Sequence, residues 1–242
     1  MNIYSNSIYQ RMQNETIIES ILNEGFKAFY CLEEIFMGEG NPSGFIGIPM
    51  ICFCDIPLAL VAKNNYGKCG IALSRQWGRS KHLEPVLYYP NDIRCQSTKM
   101  IVKAYDEFIN NPKNYDGYRI LGYSKPITKP TQTRGRSSDN YAEREWRKVY
   151  ANPAPLKWKT LEEYTDYRGA KKNPKKAVGT PLKFKVEDID FILVDKKSAP
   201  TLRDFIMNKL TNLCESSIAL SIDDKYQLLS KILVYENLVY NL

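Results

Sequence analysis

Residues 49–58 read Pro-Met-Ile-Cys-Phe-Cys-Asp-Ile-Pro-Leu, and they combine a strand signal with a helix signal. Pro49 to Ile56 is a compact apolar run of strand character that contains one charged residue, Asp55. Pro57 suits the first turn of a helix, because the N–H group that proline lacks would have no partner there. The stretch therefore predicts a buried strand that is followed directly by a short helix over Leu58–Asn65.

Strands and short helices are also expected on both sides of this stretch. Asn14 to Asn23 has apolar residues at helical spacing, with Asn14 as the N-cap and Gly25 as the residue that ends the helix. The other predicted elements are strands over Asn2–Tyr9, Cys69–Ser74, Pro85–Tyr89, Leu182–Val186 and Ile189–Val194, and helices over Thr98–Ile109 and Thr160–Arg168. Because the many short strands lack regular βαβ alternation, we expect a mixed α+β fold.

The chain of 242 residues is long enough for one large domain or for a domain with a C-terminal appendage. From Pro200 onward the sequence looks helical in two segments. We therefore expect an α+β core domain over residues 1–197 and a helical C-terminal segment over residues 198–242 that packs on it. The polar stretch Lys125–Asn140 and the Lys-rich residues up to Lys176 are predicted to be loops.

Composition argues against several classes of protein. No apolar run reaches the roughly 18 residues that a membrane-spanning helix needs, and no basic N-terminal region leads into an apolar stretch. We therefore expect a cytoplasmic protein without a membrane partner. His82 is the only histidine, which excludes multi-histidine metal sites and leaves little room for Ser-His or Cys-His catalysis. The chain also has no GxGxxG or GxxxxGK[ST] loop.

The formal net charge of +7 favours partners that carry phosphate groups, either a nucleic acid or a dinucleotide. The basic excess lies in Lys125–Arg136 and in Arg168–Lys176. Solvated surface charge explains these two stretches equally well. The candidate nucleic-acid contacts within them are Arg134, Arg136, Lys171 and Lys172.

Tyr141-Ala-Glu-Arg-Glu-Trp-Arg147 is the densest unusual segment of the chain. On a strand, Glu143, Glu145 and Arg147 would share one face, and the two carboxylates would lie about 7 Å apart. Such a pair can stabilise a developing cation, and each carboxylate raises the pKa of the other, which can leave one as a base near neutral pH. The alternative is a surface ladder in which Arg144 and Arg147 form ion pairs with acids on neighbouring strands.

Two further polar residues are candidates for ligand contacts. Asp55 stands where a strand leads into a helix, and helix N–H groups favour phosphate, although capping that helix is the simpler role. Gln10 ends a run of alternating polar side chains that begins at Ser5. Its amide can bind a ligand through two hydrogen bonds, or it can satisfy buried backbone groups.

Taken in order, these segments resemble the AbiGi family of abortive infection proteins over about residues 5–195. The Cys-Phe-Cys-Asp-Ile-Pro-Leu run of residues 52–58 is the most specific part of the resemblance, and Glu143–Arg147 is moderately specific. The other matching segments are Ser5–Gln10, Ile21–Phe26, Tyr30–Glu34, Pro49–Ile51, Tyr66–Ser74, Trp77, Pro85–Tyr88, Leu182–Phe184 and Asp188–Ile189. The resemblance implies a bacterial anti-phage protein. It also implies a partner, because the family is commonly labelled an antitoxin that acts with a nucleotidyltransferase-like toxin.

The same segments are similar, more loosely, to the ADP-ribosyltransferase fold, which implies an ADP-ribosyltransferase-like core and NAD as a substrate. By this similarity Gln10 takes the ligand-binding position on the first strand, and Asp55 with Tyr66 frames the nicotinamide. Glu145 or Glu143 would stabilise an oxocarbenium-like transition state. Many relatives are expected to carry histidine where Gln10 stands, so this position departs from the pattern.

Besides a structural subunit of a phage-defence system, two hypotheses about function remain at the level of sequence. The first is an enzyme that transfers ADP-ribose from NAD to a nucleic acid or protein. The second is a non-catalytic antitoxin or regulator that binds a partner toxin or a nucleic acid. A fold does not determine its chemistry, so the geometry of the charged side chains has to discriminate between the two.

Overall fold

The computed structural model describes residues 7–39, 41, 43–63, 68–111, 119–128, 139–150, 158–169 and 177–239. Within them the chain forms a mixed α+β structure, as the sequence predicts. The chain divides into two compact units, and each is discontinuous in sequence. The first unit comprises Met1–Lys27, Phe53–His82 and Pro181–Leu242, and the second comprises Ala28–Cys52 and Leu83–Thr180.

The elements are numbered in chain order. The strands are β1 Ser7–Met12, β2 Phe26–Ile35, β3 Gly44–Cys54, β4 Cys69–Ser74, β5 Glu84–Pro85, β6 Leu87–Tyr89, β7 Ser124–Pro126, β8 Glu145–Val149, β9 Lys159–Thr160, β10 Val178–Leu182, β11 Ile189–Val194 and β12 Ile232–Val234. The α-helices are α1 Glu15–Glu24, α2 Leu58–Lys63, α3 Arg75–Ser80, α4 Gln96–Asn110, α5 Leu161–Gly169, α6 Ala199–Asp204, α7 Ile222–Ser230 and α8 Tyr235–Val239. Short 3-10 helices cover Arg119–Tyr123, Asn140–Glu143 and Val186–Asp188, and a π-helical turn over Phe205–Lys209 continues α6.

In the first unit, β1, β4, β11 and β12 pair in that order to form a sheet. β1 and β4 are antiparallel, as are β4 and β11, whereas β11 and β12 are parallel. The last residue of β3, Cys54, lies opposite Tyr9 on β1. Five of the six residues of β4 are buried, which explains its continuous apolar sequence and confirms the strand predicted over Cys69–Ser74.

Helix α1 begins and ends where the sequence predicts. The side chain of Asn14 accepts a hydrogen bond from the N–H group of Ile17, as an N-cap does. Gly25 ends the helix at a φ of 83°, and its N–H group donates to the carbonyl of Ile21. The buried face of the helix consists of Ile18, Ile21 and Leu22. The helix that follows β3 is also confirmed, as α2 over Leu58–Lys63.

Four aromatic side chains fill part of the core of the first unit. Their ring centroids lie between 5.0 and 6.5 Å apart, in edge-to-face and tilted arrangements that aromatic pairs prefer. The indole N–H of Trp77 donates to the carbonyl of Lys183 at 3.1 Å, so the polar atom of the largest ring has a partner. The four residues are Phe26, Phe53, Trp77 and Phe184.

The second unit is built on an antiparallel hairpin of β2 and β3, which pair from Phe29 opposite Met50 to Ile35 opposite Gly44. β8 and β9 also pair with β3, and β5 pairs with β8. β6 and β7 form a separate parallel pair. The buried face of α4 packs with β3 in one hydrophobic cluster, which includes Ile46, Ile48, Met50, Ile101, Ala104 and Phe108.

Strand β2 and the beginning of β3 lie where the sequence predicts no strand. In β2 the first five residues alternate between buried and partly buried, but Lys27, Glu33 and Glu34 obscure this period. The Gly-rich stretch before Pro49 looks irregular in sequence, yet Gly44 and Gly47 are strand residues. A Cβ atom at Gly44 would come within 2.7 Å of the Tyr105 ring, so close packing explains this glycine.

Three other predicted elements differ from the structure. The strand predicted over Leu182–Val186 is wrong, because β10 ends at Leu182. A 3-10 helix starts instead at Val186, where the carboxylate of Asp188 accepts a hydrogen bond from the N–H group of Lys185. The strand predicted over Pro85–Tyr89 is split into β5 and β6. The C-terminal residues, predicted to be helical, also contain β12.

The boundary predicted at residue 197 lies inside the third segment of the first unit, Pro181–Leu242. Residues 198–239 contribute α6, α7, β12 and α8, and β12 pairs with β11 as part of the sheet. Among the residues that the structure describes, no helix is both long enough and apolar enough to cross a membrane.

Candidate functional site

The segment Tyr141–Arg147 forms a turn and a strand instead of one continuous strand. A 3-10 helix over Asn140–Glu143 comes first, and Arg144 then takes a left-handed backbone conformation with a φ of 43°. β8 begins only at Glu145. The predicted common strand face of Glu143, Glu145 and Arg147 is therefore wrong for Glu143. Glu145 and Arg147 do share a face of β8, and that face is buried.

Arg147 is a fully buried arginine whose guanidinium binds three acceptors from different segments. Its Nε and Nη2 atoms donate to the two carboxylate oxygens of Glu145, at 2.7 and 3.2 Å. Nη2 also donates to Glu33 at 2.7 Å, and Nη1 donates to the carbonyl of Gly122 at 3.1 Å. The planar guanidinium thus connects β8 with β2 and with the 3-10 helix over Arg119–Tyr123.

A second cation, Lys125 on β7, completes the cluster. Its Nζ atom lies 2.9 Å from Glu143 and 2.8 Å from Glu145. Glu33, Lys125, Glu143, Glu145 and Arg147 together form what we call the charge network. Its three carboxylates and two cations give a formal charge of −1. The side chain of Arg147 is 0% exposed and that of Glu145 is 6% exposed, whereas that of Glu143 is 35% exposed.

The two cations set the protonation state of Glu145. Burial alone would raise the pKa of this carboxyl, but Arg147 and Lys125 outweigh burial and lower the pKa to about 2. The predicted mutual raising of pKa by neighbouring carboxylates is therefore wrong for Glu145. Burial likewise disfavours charged Lys125, but Glu145, Glu33 and Glu143 raise its pKa above the ordinary value for lysine. Both groups stay charged near neutral pH.

Backbone hydrogen bonds hold Glu145 in place. Its N–H group donates to the hydroxyl oxygen of Tyr88 at 2.8 Å, and its carbonyl accepts the N–H group of Val86 at 2.8 Å. The ring of Tyr88 also packs edge-to-face with Tyr141 at 5.3 Å. Burial raises the pKa of Tyr88 to about 12, so its hydroxyl is neutral at physiological pH. Glu145 is therefore fixed through both its side chain and its main chain.

The other predicted site residues with described positions lie in the first unit, whereas Glu143 and Glu145 lie in the second. Gln10 is on β1 opposite Ile71 of β4. Asp55 directly follows β3, and its carboxylate accepts a hydrogen bond from Arg75 at 2.6 Å. The predicted residues Tyr66, Arg134, Arg136, Lys171 and Lys172 lie outside the described residues.

Two cavities of the described structure have volumes of about 350 and 460 Å³. Gln10, Asp55, Glu143 and Glu145 line neither of them. The described ranges also contain no group of three His, Cys, Asp or Glu side chains arranged to hold a metal ion. The assignment of catalytic and NAD-binding roles to these residues stays a prediction.

Three members of this site were not singled out from the sequence. Glu33 lies on the unpredicted strand β2, Lys125 lies in a stretch that was predicted to be a loop, and Tyr88 lies in an ordinary apolar run. The one available signal was the pair Glu33-Glu34 inside an alternating apolar segment, because a carboxylate in a half-buried strand needs a cation. No local signal identified Lys125, since its partners are 18 and 20 residues away.

Comparison with known proteins places this chain in a family. The family model described as "Putative abortive phage resistance protein AbiGi, antitoxin" matches residues 25–195, a range that contains the whole charge network. The protein named "Abortive phage resistance protein AbiGi" from Lactococcus lactis subsp. cremoris is 25% identical, over 79% of this chain and 87% of that relative. No solved structure matches the chain, so the ADP-ribosyltransferase-like core stays a prediction. The resemblance inferred from the sequence is confirmed: the chain belongs to the AbiGi family of abortive phage resistance proteins.

Proposed function

We propose that this chain is a non-catalytic antitoxin, which neutralises a partner toxin by binding it. The observation that carries the non-catalytic part of the proposal is the state of Glu145. This predicted catalytic carboxylate is buried, is bonded to two cations and has a pKa lowered to about 2. The word antitoxin in the description of the matching family supports the same proposal.

The contacts of Glu145 leave it poorly suited to catalysis. Its Oε1 atom accepts from Arg147 Nε, and its Oε2 atom accepts from both Arg147 Nη2 and Lys125 Nζ. A general base near neutral pH needs a pKa close to the working pH and access to the proton that it removes. A carboxylate with a pKa of about 2 and occupied oxygens meets neither requirement. To stabilise an oxocarbenium ion the charged carboxylate would have to reach a sugar, but the side chain of Glu145 is only 6% exposed and its oxygens are bound to Arg147 and Lys125. Its contacts instead join β8 to β7 through Lys125, and Arg147 extends the link to Glu33 on β2, which is a structural role.

The competing hypothesis is ADP-ribose transfer from NAD with Gln10, Asp55, Tyr66 and Glu145 as site residues. It can be tested by incubating the purified chain with NAD, with and without the partner toxin, and measuring released nicotinamide by chromatography. We take the product of the neighbouring gene as this toxin. The antitoxin proposal expects nicotinamide release no faster than in a control without the chain.

The matched genetic test measures growth of cells that express the toxin together with this chain. We expect the wild-type chain and a double variant, Gln10→Ala with Glu143→Gln, to rescue growth equally. These substitutions remove two predicted transferase residues, and they spare the buried pair of Glu145 and Arg147. Loss of rescue in a double variant that remains folded by circular dichroism, together with NAD turnover by the wild type, would contradict the proposal.

A further inference from the structure

A cleft in the first unit is a separate feature from the charge network. Its volume is about 350 Å³, and it lies between residues 184–187 on one side and residues 213–224 on the other. The buried side chains of Phe184, Val186 and Leu213 form its apolar floor. Ile218 and Leu220 extend this apolar lining toward solvent. We call this cavity the C-terminal cleft.

Ile218 is the most exposed large apolar side chain of the described residues, at 77%. The loop that carries it is nonetheless held by hydrogen bonds. The hydroxyl of Ser216 accepts the N–H group of Ile218 at 3.0 Å and donates to its carbonyl at 2.9 Å. The N–H group of Leu220 donates to the carbonyl of Thr211 at 2.8 Å. Ile218 is therefore presented to solvent by an ordered loop, which reduces the entropy cost of binding a partner there.

The base of the same loop is anchored in the core. Leu213 and Cys214 are buried, and the N–H group of Cys214 donates to the carbonyl of Leu22 on α1 at 2.9 Å. On the far side of the loop, Ser221 and Asp224 form a capping box that starts α7. The walls of the cleft are thus held by hydrogen bonds, and the exposed isoleucine of the loop lines the same cavity as the buried apolar side chains. A contiguous apolar surface of this kind is typical of a protein-binding site.

The charged side chains around the cleft are acidic in excess, although the whole chain carries a formal charge of +7. Glu187, Glu215 and Asp224 line the cleft with a single base, Lys185. Glu215 forms an ion pair with Lys81 at 3.1 Å, so three acids and two bases leave a formal charge of −1 around the cleft. The side chain of Glu187 is 68% exposed and lies 3.9 Å from Lys185, so it is accessible to a cation on a partner.

This distribution of charge distinguishes between classes of partner. A nucleic-acid site needs a basic surface that replaces the counterions of phosphate groups, and the cleft has no basic excess to supply it. An apolar floor with an acidic rim instead complements a protein surface on which an apolar side chain is flanked by Lys or Arg. We propose that the C-terminal cleft is the docking site for the partner toxin, and that it receives such an apolar side chain beside a basic residue. This inference rests on the antitoxin function proposed above.

The test is calorimetric titration of the purified full chain with the toxin, taken as the product of the neighbouring gene. Ile218→Asp places a charge on the apolar wall, and we expect it to raise Kd at least about tenfold, the scale of a central interface residue. Glu187→Lys reverses the accessible charge of the rim, and we expect it to raise Kd about tenfold. The matched control is Met100→Asp on α4, since Met100 is 59% exposed and belongs to the second unit.

A benzophenone amino acid at position 218 gives a second measurement, which reports proximity to the toxin in the complex and does not require a change in Kd. We expect ultraviolet light to crosslink it to the toxin, and we expect the same amino acid at position 100 to give no such product. Ile218→Asp should leave the thermal unfolding temperature unchanged, because the side chain is exposed.

Unchanged Kd in both cleft variants would overturn the docking site but would leave the antitoxin proposal standing. Crosslinks between two copies of this chain would also overturn it, in favour of self-association. Failure of the wild-type chain to bind or neutralise the toxin would instead overturn the proposed function.

Discussion

At the scale of single residues, the molecule's main feature is a buried arginine that is balanced by two carboxylates. Isolated burial of a guanidinium would be very unfavourable, and the contacts of Arg147 with Glu33 and Glu145 offset this cost. Removing one partner of such a group leaves the others buried without compensation. Substitutions of the buried or largely buried members Glu33, Glu145 and Arg147 are therefore expected to affect stability first and binding only indirectly. The part-exposed Glu143 contributes less.

Arg147→Met tests this structural role directly. Methionine has about the length of the aliphatic part of arginine, but it leaves Glu33 and Glu145 without the guanidinium. We therefore expect the free energy of unfolding to fall by about 3–5 kcal/mol. Urea denaturation followed by circular dichroism measures the change. Lys148→Met is the matched control on the opposite face of β8, with an expected change below about 0.5 kcal/mol. If Arg147→Met lowered the free energy of unfolding no more than Lys148→Met does, the network would not stabilise the fold.

The depressed pKa of Glu145 predicts a specific dependence of stability on pH. A carboxyl whose pKa falls from 4.5 in the unfolded chain to about 2 in the folded protein stabilises the fold above pH 4.5. This stabilisation is lost as the pH falls from 4.5 toward 2. We expect the urea midpoint of the wild type to decrease across this range, and we expect Glu145→Gln to show a smaller decrease. Parallel pH profiles for the two proteins would refute the assignment.

At the scale of elements, local signals predicted some segments and failed for others. Helix α1 was predictable because its cap, its apolar face and its terminal glycine all lie within twelve residues of sequence. β2 was missed because the charge of Glu33 obscures its apolar pattern, and the partner of Glu33, Arg147, is 114 residues away. For the same reason the sequence indicated Glu143, Glu145 and Arg147 as unusual but could not identify Glu33 or Lys125. Density of charge is a local property, whereas the pairing of charges depends on tertiary structure.

Gly25 offers a test of the junction between α1 and β2. Its φ of 83° is unfavourable for other residues, and a Cβ atom there would lie 2.6 Å from the carbonyl oxygen of Leu182. We expect Gly25→Ala to lower the free energy of unfolding by about 1–3 kcal/mol, which is the usual cost of such backbone strain. Glu19→Ala within α1 serves as the control, with an expected change below about 0.5 kcal/mol. Equal stability of the two variants in urea would contradict this account of the junction.

At the scale of the whole molecule, the family match and the structural role of the charge network both support the proposed non-catalytic antitoxin function. The matched range of residues 25–195 includes every member of the network, and these side chains connect strands with one another. The mixed α+β class was predictable from the many short strands, whereas the division into two discontinuous units was not. Such a division depends on contacts between segments that are far apart in the sequence.

An antitoxin that acts by binding must be present in amounts that match its toxin, whereas an enzyme acts at far lower amounts because each molecule turns over many times. The measurement that tests this difference most directly is a titration in cells. The toxin is expressed at a constant level, this chain is expressed at graded levels, and both are quantified on gels alongside growth. The account predicts that growth recovers only when the chain reaches a fixed molar ratio to the toxin, and that a folded Gln10→Ala, Glu143→Gln double variant follows the same curve. Full recovery at a small fraction of that ratio, lost in the double variant, would contradict it.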